Sequence, residues 1–371
     1  MRHLDIAVVG GGLLGSAFAY GLSSHGVQVG LIDEGDNAIR TARGNFGLVW
    51  VQGKGRGMPE YARWTLASAR AWADFSAQLG EETGTATGYH QPGGFFVAIS
   101  KDEFNHNLKL LEQLRKEAGA DGYEYEVVEN PALREHLPGI GPEVPGATYC
   151  RHDGHANPLQ LLRALQEGFE RNGGSYIPRS HISEIRPLAV GGFEIFSGDR
   201  LVTGCEKLVI AAGHGGADLG RQLGMDIPIH PVQGQVVVTE RSPAHLAYPT
   251  NYVRKTDEGY FMLGPSARDT GFDLETETTT LRDIVRQCSK AFPYLRELRI
   301  QRSWAALRIM TPDGFPVYAQ SRDFPGAFSF SCHSGVTLAA LHAREVPQWV
   351  LAGEIPSAHR CFGLERFDVS A

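Results

Sequence analysis

The run Ile6-Ala7-Val8-Val9-Gly10-Gly11-Gly12-Leu13-Leu14-Gly15 constrains this chain more than any other feature. An apolar run, a glycine turn and then Ser16-Ala17-Phe18-Ala19-Tyr20-Gly21-Leu22 predict a strand, a tight turn and a helix whose small residues face a sheet. Val27-Gln28-Val29-Gly30-Leu31-Ile32-Asp33 predicts a second strand that ends in an acid. Gly10 suits the tight turn, Gly12 lets backbone N–H groups approach a diphosphate, and Gly15 lets the helix pack closely on the strand. The diphosphate then sits at a helix N-terminus. Asp33 lies near the ~20-residue spacing at which a carboxylate accepts hydrogen bonds from the ribose hydroxyls of an adenosine. A 2′-phosphate there would meet a like charge ~4 Å away, about 4 kcal/mol of repulsion or roughly a thousandfold in binding. The unit therefore suits FAD or NAD and disfavours NADP. Glycine turns are common in a chain with 45 glycines, and it is the flanking strand and helix that give this one its meaning.

At 371 residues the chain is long for one core, which predicts two domains or one domain with a large insertion. A hydrophobic fraction of 42% and a charged fraction of 21% are those of an ordinary globular protein. The net charge of -7 argues against nucleic acid as a main partner. No apolar run approaches the ~20 residues that span a bilayer, and the first strand starts so near Met1 that a signal peptide has no room. A cytoplasmic protein without a membrane span is expected. Cys150, Cys205, Cys288, Cys332 and Cys361 are odd in number, scattered and free of any C-x-x-C pair, so they read as small buried thiols. The histidines show no metal-ligand spacing, and no metal site is expected.

Helical periodicity places Tyr61, Trp64, Leu66, Trp72 and Phe75 on the core face of a helix over residues 59–80. A strand is expected over 93–99 and an amphipathic helix over 101–118, with Leu108, Leu111 and Leu114 inside. Residues 130–146 are proline-rich turns. A helix over 158–172 leads to short strands near 175–210, ending in Leu208-Val209-Ile210-Ala211-Ala212-Gly213, a second close approach of backbone to ligand or to the first glycine turn. Alternation in Gln235-Val236-Val237-Val238-Thr239 and Tyr260-Phe261-Met262-Leu263 predicts an antiparallel sheet over 226–270. Residues 279–292 read as a helix, and 302–352 as strand, loop and a long final helix. Asp102-Glu103, Glu81-Glu82 and Asp153-Gly154-His155 read as solvated turns or helix starts. The whole predicts an α/β chain whose nucleotide domain, residues 1–88, 153–225 and 302–371, is interrupted by a sheet domain, residues 89–152 and 226–301, with catalysis between them.

Four motifs in order point further. They are Gly10-Gly11-Gly12-Leu13-Leu14-Gly15 with Asp33; Leu208-Val209-Ile210-Ala211-Ala212-Gly213; Pro231-Val232-Gln233-Gly234-Gln235; and Arg308-Ile309-Met310-Thr311-Pro312-Asp313-Gly314-Phe315-Pro316, followed by Gly326 and His333-Ser334-Gly335-Val336-Thr337. Together they resemble the D-amino acid oxidase-like family of FAD enzymes, over nearly the whole chain. The resemblance implies a Rossmann-like FAD-binding domain of the glutathione-reductase type with an inserted antiparallel-sheet substrate domain, and it favours FAD over NAD. Within the family, Thr41-Ala42-Arg43-Gly44-Asn45-Phe46-Gly47-Leu48-Val49-Trp50-Val51-Gln52-Gly53-Lys54-Gly55 resembles the corresponding loop of the opine (octopine and nopaline) oxidase B subunits. That likeness implies partner subunits carrying an iron-sulfur centre.

Carried onto this chain, the resemblance assigns FAD binding to Gly10, Gly12, Leu13, Leu14, Gly15, Asp33 and Glu34. It adds Arg43, Gly44, Asn45, Phe46, Gly47 and Leu48, then Ile182, Ala211, Ala212 and Gly213, and finally Arg308, His333, Gly335, Val336 and Thr337. It implies oxidation of an amine alpha to a carboxylate by hydride transfer to flavin N5, the imine then being hydrolysed. Arg308, where the glycine oxidase branch carries its carboxylate-binding arginine, would anchor the substrate bidentately, against the competing reading of a salt bridge to Asp313. Tyr252 stands where relatives place a substrate-contacting tyrosine; Tyr260, Arg254 and Lys255 are weaker candidates for the same cavity. His333 joins the catalytic candidates without a proton-transfer role, because hydride transfer from a neutral amine needs no base. The N–H groups of Gly335, Val336 and Thr337, at the start of the final helix, would face the flavin and favour nearby negative charge by up to ~2 kcal/mol. Ala306 replaces the cysteine that holds flavin covalently in monomeric sarcosine oxidases, so FAD is expected to be non-covalent. Cys332 stands where relatives usually have glycine, and Trp50 and Gln52 either line the cavity or pack behind it. Three functions follow: a dehydrogenase subunit for amines or opines that passes electrons to a partner, a self-sufficient glycine, sarcosine or D-amino acid oxidase, or a flavin-binding structural subunit.

Overall fold

In the computed structural model, which describes residues 3–35, 40–119 and 124–367, the opening motif forms the strand His3–Val9 and the helix Leu13–Ser23. That strand lies inside an eight-stranded sheet, pairing in parallel with Arg200–Ile210 on one side and Val29–Ile32 on the other. Ser175–Ile177 continues one side and Ala327–Ser331 the other, both in parallel, before Val317–Gln320 closes the edge antiparallel. Helices cover this sheet, so its strands are near-continuous apolar runs such as Ala7-Val8-Val9 and Leu208-Val209-Ile210, all at most 4% exposed.

A second, four-stranded antiparallel sheet runs in the order Val253–Lys255, Tyr260–Leu263, His230–Arg241, Ile300–Met310. The two long strands pair with Val232 opposite Arg308 and Gly234 opposite Ala306. A three-stranded antiparallel sheet, Gly94–Ala98, Gly146–Cys150 and Glu126–Glu129, joins it through the Phe95 N–H, which donates to Pro249 O at 3.0 Å. One core under both sheets holds Phe95, Val97, Val237, Phe261 and Phe292, closed off by the helix Thr278–Ala291.

The helices Pro59–Thr83, Lys101–Ala118 and Pro158–Arg171 follow the predicted periodicities, and the five aromatic and leucine positions expected inside the first of them are buried. Leu111 and Leu114 are buried as expected, whereas Leu108 is only half-buried. Residues 130–146 hold one short helix, Leu133–His136, among their turns. Two expectations need correction. The division placed at residue 302 falls within Ile300–Met310, which stays in the antiparallel sheet; the chain returns to the parallel sheet only after Thr311-Pro312-Asp313-Gly314. The long final helix is two short ones, Ala339–Arg344 and Val346–Ala352, because Pro347 has no N–H to bond the carbonyl four residues back. No disulfide forms: Cys150, Cys205, Cys288 and Cys332 are buried free thiols, and Cys361 is half-buried. Among the described residues no helix is long and apolar enough to cross a membrane.

Candidate functional site

Where the parallel strands end, backbone forms the walls of a cavity. Gly10 has φ +107°, and a Cβ there would lie 2.3 Å from Ala211 O, so the two strand ends converge as the sequence implied. A Cβ at Gly15 would fall 1.8 Å from Gly10 O, which is the close helix-to-strand packing expected of that position. Gly12 is different: it is the helix N-cap, and its Cβ would meet no protein atom within 4 Å. It borders a cavity of about 620 Å³, lined also by Leu13, Leu14, Asp33, Glu34, Asn45, Ile182, Ala211, Ala212, Gly213, His333 and Gly335. Asp33 accepts from Gly11 N at 2.8 Å with one oxygen and from Gly35 N at 2.7 Å with the other, which leaves each oxygen a lone pair for a ligand hydroxyl. His214, beside Gly213 in the same wall, keeps a buried Nε2 with no partner among the described residues. Open space above Gly12, a half-satisfied carboxylate and an orphaned ring nitrogen fit the adenosine diphosphate part of FAD.

A second cavity of about 280 Å³ adjoins it, and Thr41, Asn45, Ile309 and His333 border both. Gly44, Phe46, Leu48, Trp50, Lys54, Gly234, Asn251, Ala306, Arg308, Ser334, Val336 and Thr337 are among its other lining residues. Among the described residues no aspartate or glutamate lines it. The Arg308 guanidinium lies flat over Gly234, where an added Cβ would come within 2.8 Å of three of its atoms. Arg308 Nη1 donates to Ser266 O at 2.8 Å, and burial lowers its pKa. The competing salt bridge does not form: Asp313 takes Arg366, at 2.7 Å, and no carboxylate among the described residues is paired with Arg308. A guanidinium with spare donors, in a cavity that no described acid lines, suits an anion.

Opposite elements hold Lys54, a residue that no sequence motif singles out. Its Nζ donates to Ser334 Oγ at 2.8 Å and to Thr337 Oγ1 at 3.2 Å. Both hydroxyls are fully used. Ser334 Oγ also bonds Tyr61 at 2.7 Å and His333 Nδ1 at 3.1 Å; Thr337 Oγ1 accepts from Trp50 N at 3.2 Å and donates to Leu48 O at 3.4 Å. Lys54 donates to Ser334 Oγ, while the Tyr61–Ser334 and Ser334–His333 bonds can run in either direction, so the network accommodates either neutral tautomer of His333. Burial pushes the His333 imidazolium down to about 3, with the charges of Lys54 and Arg308 adding to it, so the ring is neutral at pH 7. Burial likewise pushes the Lys54 ammonium down to about 8.

Behind Lys54 lies a further correction. Asp153-Gly154-His155 is no solvated turn: Asp153 is 0% exposed, and Gly154–His155 pairs with Leu48–Val49. Asp153 accepts from Val51 N at 2.6 Å and Gln52 Nε2 at 2.7 Å, and Gln52 Oε1 accepts from Thr148 at 2.6 Å. Burial pushes the Asp153 carboxyl up to about 7 against those bonds. Gln52 therefore packs behind the wall, while Trp50 forms part of it.

The structure does not bring Tyr252 to either cavity. It is buried in the core under the two antiparallel sheets, and its hydroxyl donates to Glu103 at 2.6 Å. Nor do Tyr260, Arg254 or Lys255 line the second cavity: Tyr260 sits beneath Arg241, Arg254 Nε donates to Phe46 O, and Lys255 Nζ donates to Ala244 O. Gly47 is turned toward Ala156 O, and the side chain of Arg43 lies outside the described residues. Gly335-Val336-Thr337-Leu338 is a turn preceding the helix that starts at Ala339, yet the N–H groups of Gly335, Val336 and Thr337 have no acceptor among the described residues. Cys332 lines the nucleotide cavity, its thiol pushed up to about 12 by burial.

Comparison with known proteins gives the family and the fold. Residues 5–349 match the family model described as FAD dependent oxidoreductase. The chain is 36% identical over 367 residues to the B subunit of opine oxidase from Agrobacterium tumefaciens (strain Ach5), covering 99% of this chain and 98% of that one. The opine oxidase B subunit of Rhizobium meliloti is 35% identical over 374 residues, covering 99% of each. Among solved structures, glycine oxidase from Geobacillus kaustophilus superposes with a TM-score of 0.88 at 20% identity, over 98% of this chain and 99% of that one.

Proposed function

The chain belongs to the DAO family of FAD dependent oxidoreductases, and from that premise we propose that it oxidises the C–N bond of an amino-acid-derived, opine-like secondary amine. The observation that carries this reading is Arg308, a guanidinium that among the described residues has no carboxylate partner, in a cavity that no described acid lines and that adjoins the nucleotide cavity. FAD would be held, without a covalent bond, by the Gly10-Gly11-Gly12 turn, Asp33, the Ala211-Ala212-Gly213 strand end and the turn at 335–337. When bound, it supplies the two-electron acceptor that takes the α-hydrogen as hydride at N5.

The rest is the work of side chains. Arg308 holds the substrate carboxylate through two parallel N–H···O bonds and so fixes which carbon faces the cofactor. His333, kept neutral, adds no third positive charge to a cavity that must also admit an amine. Loss of hydride from the α-carbon and of a proton from nitrogen leaves an imine, and one water converts it to an amino acid and a 2-oxo acid. The electrons would pass to a partner subunit carrying an iron-sulfur centre; the B-subunit names of the two opine oxidase relatives support the partner chain, and the cluster is part of the proposal.

Anaerobic mixing of the yellow protein with opines, N-methyl amino acids and D-amino acids tests the substrate class. Bleaching of the flavin by opines first, with rates rising as the substrate amine deprotonates, is the expected result. Dye reduction with negligible peroxide is expected in air; stoichiometric peroxide would instead identify a self-sufficient oxidase. An intact flavin spectrum that no amine bleaches would leave only a structural, flavin-carrying role.

A further inference from the structure

The second cavity contains more positive charge than one carboxylate uses. Arg308 rises from the antiparallel sheet over Gly234, whereas Lys54 is tied to the turn at 334–337 on a different wall, and both act on His333 between them. An ammonium has three hydrogens, and two are taken by the Ser334 and Thr337 hydroxyls. The third has no acceptor among the described residues. The buried acid whose charge acts on Lys54, Asp153, has its two oxygens engaged by Val51 N and Gln52 and forms no ion pair with Lys54 among the described residues. A tie to two hydroxyls could be made by a neutral side chain at far lower desolvation cost.

We propose that Lys54 is a second carboxylate anchor: of the two carboxylates that an opine-like amine carries, one on each carbon flanking the nitrogen, Arg308 holds one and Lys54 the other. The inference rests on the oxidation of an opine-like amine argued above and assigns the residue that holds its second carboxylate. Such a substrate with a protonated amine carries a net charge of -1, and two anchoring cations suit it better than they suit glycine or sarcosine, which leave Lys54 unpaired. One carboxylate would sit on each anchor, with the nitrogen and its α-hydrogens between them.

Diglycolate and methoxyacetate test this directly. They place an ether oxygen where the amine would be and carry two carboxylates and one, and neither is an amine that the enzyme can oxidise. Binding to the FAD-loaded chain is followed by the change in flavin absorption, without turnover. Diglycolate is expected to bind about ten- to a hundredfold tighter than methoxyacetate, as one added charged hydrogen bond allows. Lys54→Met should abolish that difference while leaving methoxyacetate within about twofold, and Lys54→Arg should restore most of it. If Lys54→Met loses flavin, Lys54→Gln, which still bonds a hydroxyl, makes the same comparison. Equal binding of the two ligands to the parent chain, or equal weakening of both in the variants, overturns the second anchor while leaving Arg308 in place. A parent chain whose flavin responds to neither ligand overturns the amine-oxidation reading and this inference with it.

Discussion

The nucleotide cavity and the cavity beside it differ in what makes their walls. In the first, backbone does most of the work: Gly10, Gly12, Ala211, Ala212 and Gly213 border it where two parallel strands end. In the second, side chains do: Arg308 from a long antiparallel strand, Lys54 from a loop, and Ser334 and Thr337 from a turn 280 and 283 residues further along the chain than that lysine. Backbone walls depend on where a Cβ cannot be tolerated, and they fail all at once. Side-chain walls fail one contact at a time, and each failure changes affinity rather than fold.

The largest expected effect is therefore at the glycine turn. Gly10→Ala forces a Cβ onto Ala211 O at a positive φ, and purified protein should be nearly colourless and destabilised by more than ~3 kcal/mol. Gly12→Ala should lose flavin as well, yet its apoprotein melting should stay within ~0.5 kcal/mol of the parent, because the Cβ enters open space. Equal flavin content in Gly12→Ala and the parent would break the comparison at its root. Next comes Arg308→Leu, which should raise substrate KM by about ten- to a hundredfold or more while the flavin-to-protein absorbance ratio holds. Loss of flavin there would mean that the two cavities are not separable.

A smaller effect is expected with pH. Lys54 anchors a carboxylate only while charged, so with an ammonium lowered to about 8, diglycolate affinity should fall as pH rises through that value. The bound anion moves the midpoint upward, and in Lys54→Arg the fall near 8 should vanish, leaving only the smaller effect of Asp153, whose carboxyl burial pushes up to about 7. The groups around Lys54 set this value: burial lowers it, while Cys332 and Asp153 raise it. His333 is already neutral and Arg308 stays charged, so neither titrates in that window. The smallest effect falls outside both cavities. Tyr252→Phe removes the bond to Glu103 and should cost about 1 kcal/mol in urea unfolding with KM unchanged. A raised KM would restore Tyr252 as a substrate contact.

The same contrast explains what the sequence made legible. The glycine spacing, the terminal acid of the second strand and the apolar run into Ala211-Ala212-Gly213 are local patterns, and they specify a backbone cavity without knowledge of the rest. Arg308 stands out through its neighbouring Thr311-Pro312-Asp313-Gly314 turn, a motif and not a contact. Lys54 carries no local signal. It sits among glycines in a loop, and its meaning comes from hydroxyls at the other end of the chain. Asp153 misleads for the opposite reason: Asp-Gly is a surface-turn pattern, and only the pairing of Gly154–His155 with Leu48–Val49 carries it inward. Tyr252 is singled out by resemblance alone; it precedes the strand Val253–Lys255, and no local pattern tells that its ring turns into the core rather than to the cavity.

Thr41, Asn45, Ile309 and His333 border both cavities, and that shared border limits how such an enzyme can evolve. On the proposed reading, a replacement at any of the four would touch both the prosthetic group and the substrate, which leaves Trp50, Asn251 and Pro265, bordering the second cavity and not the first, as the places where substrate choice can change alone.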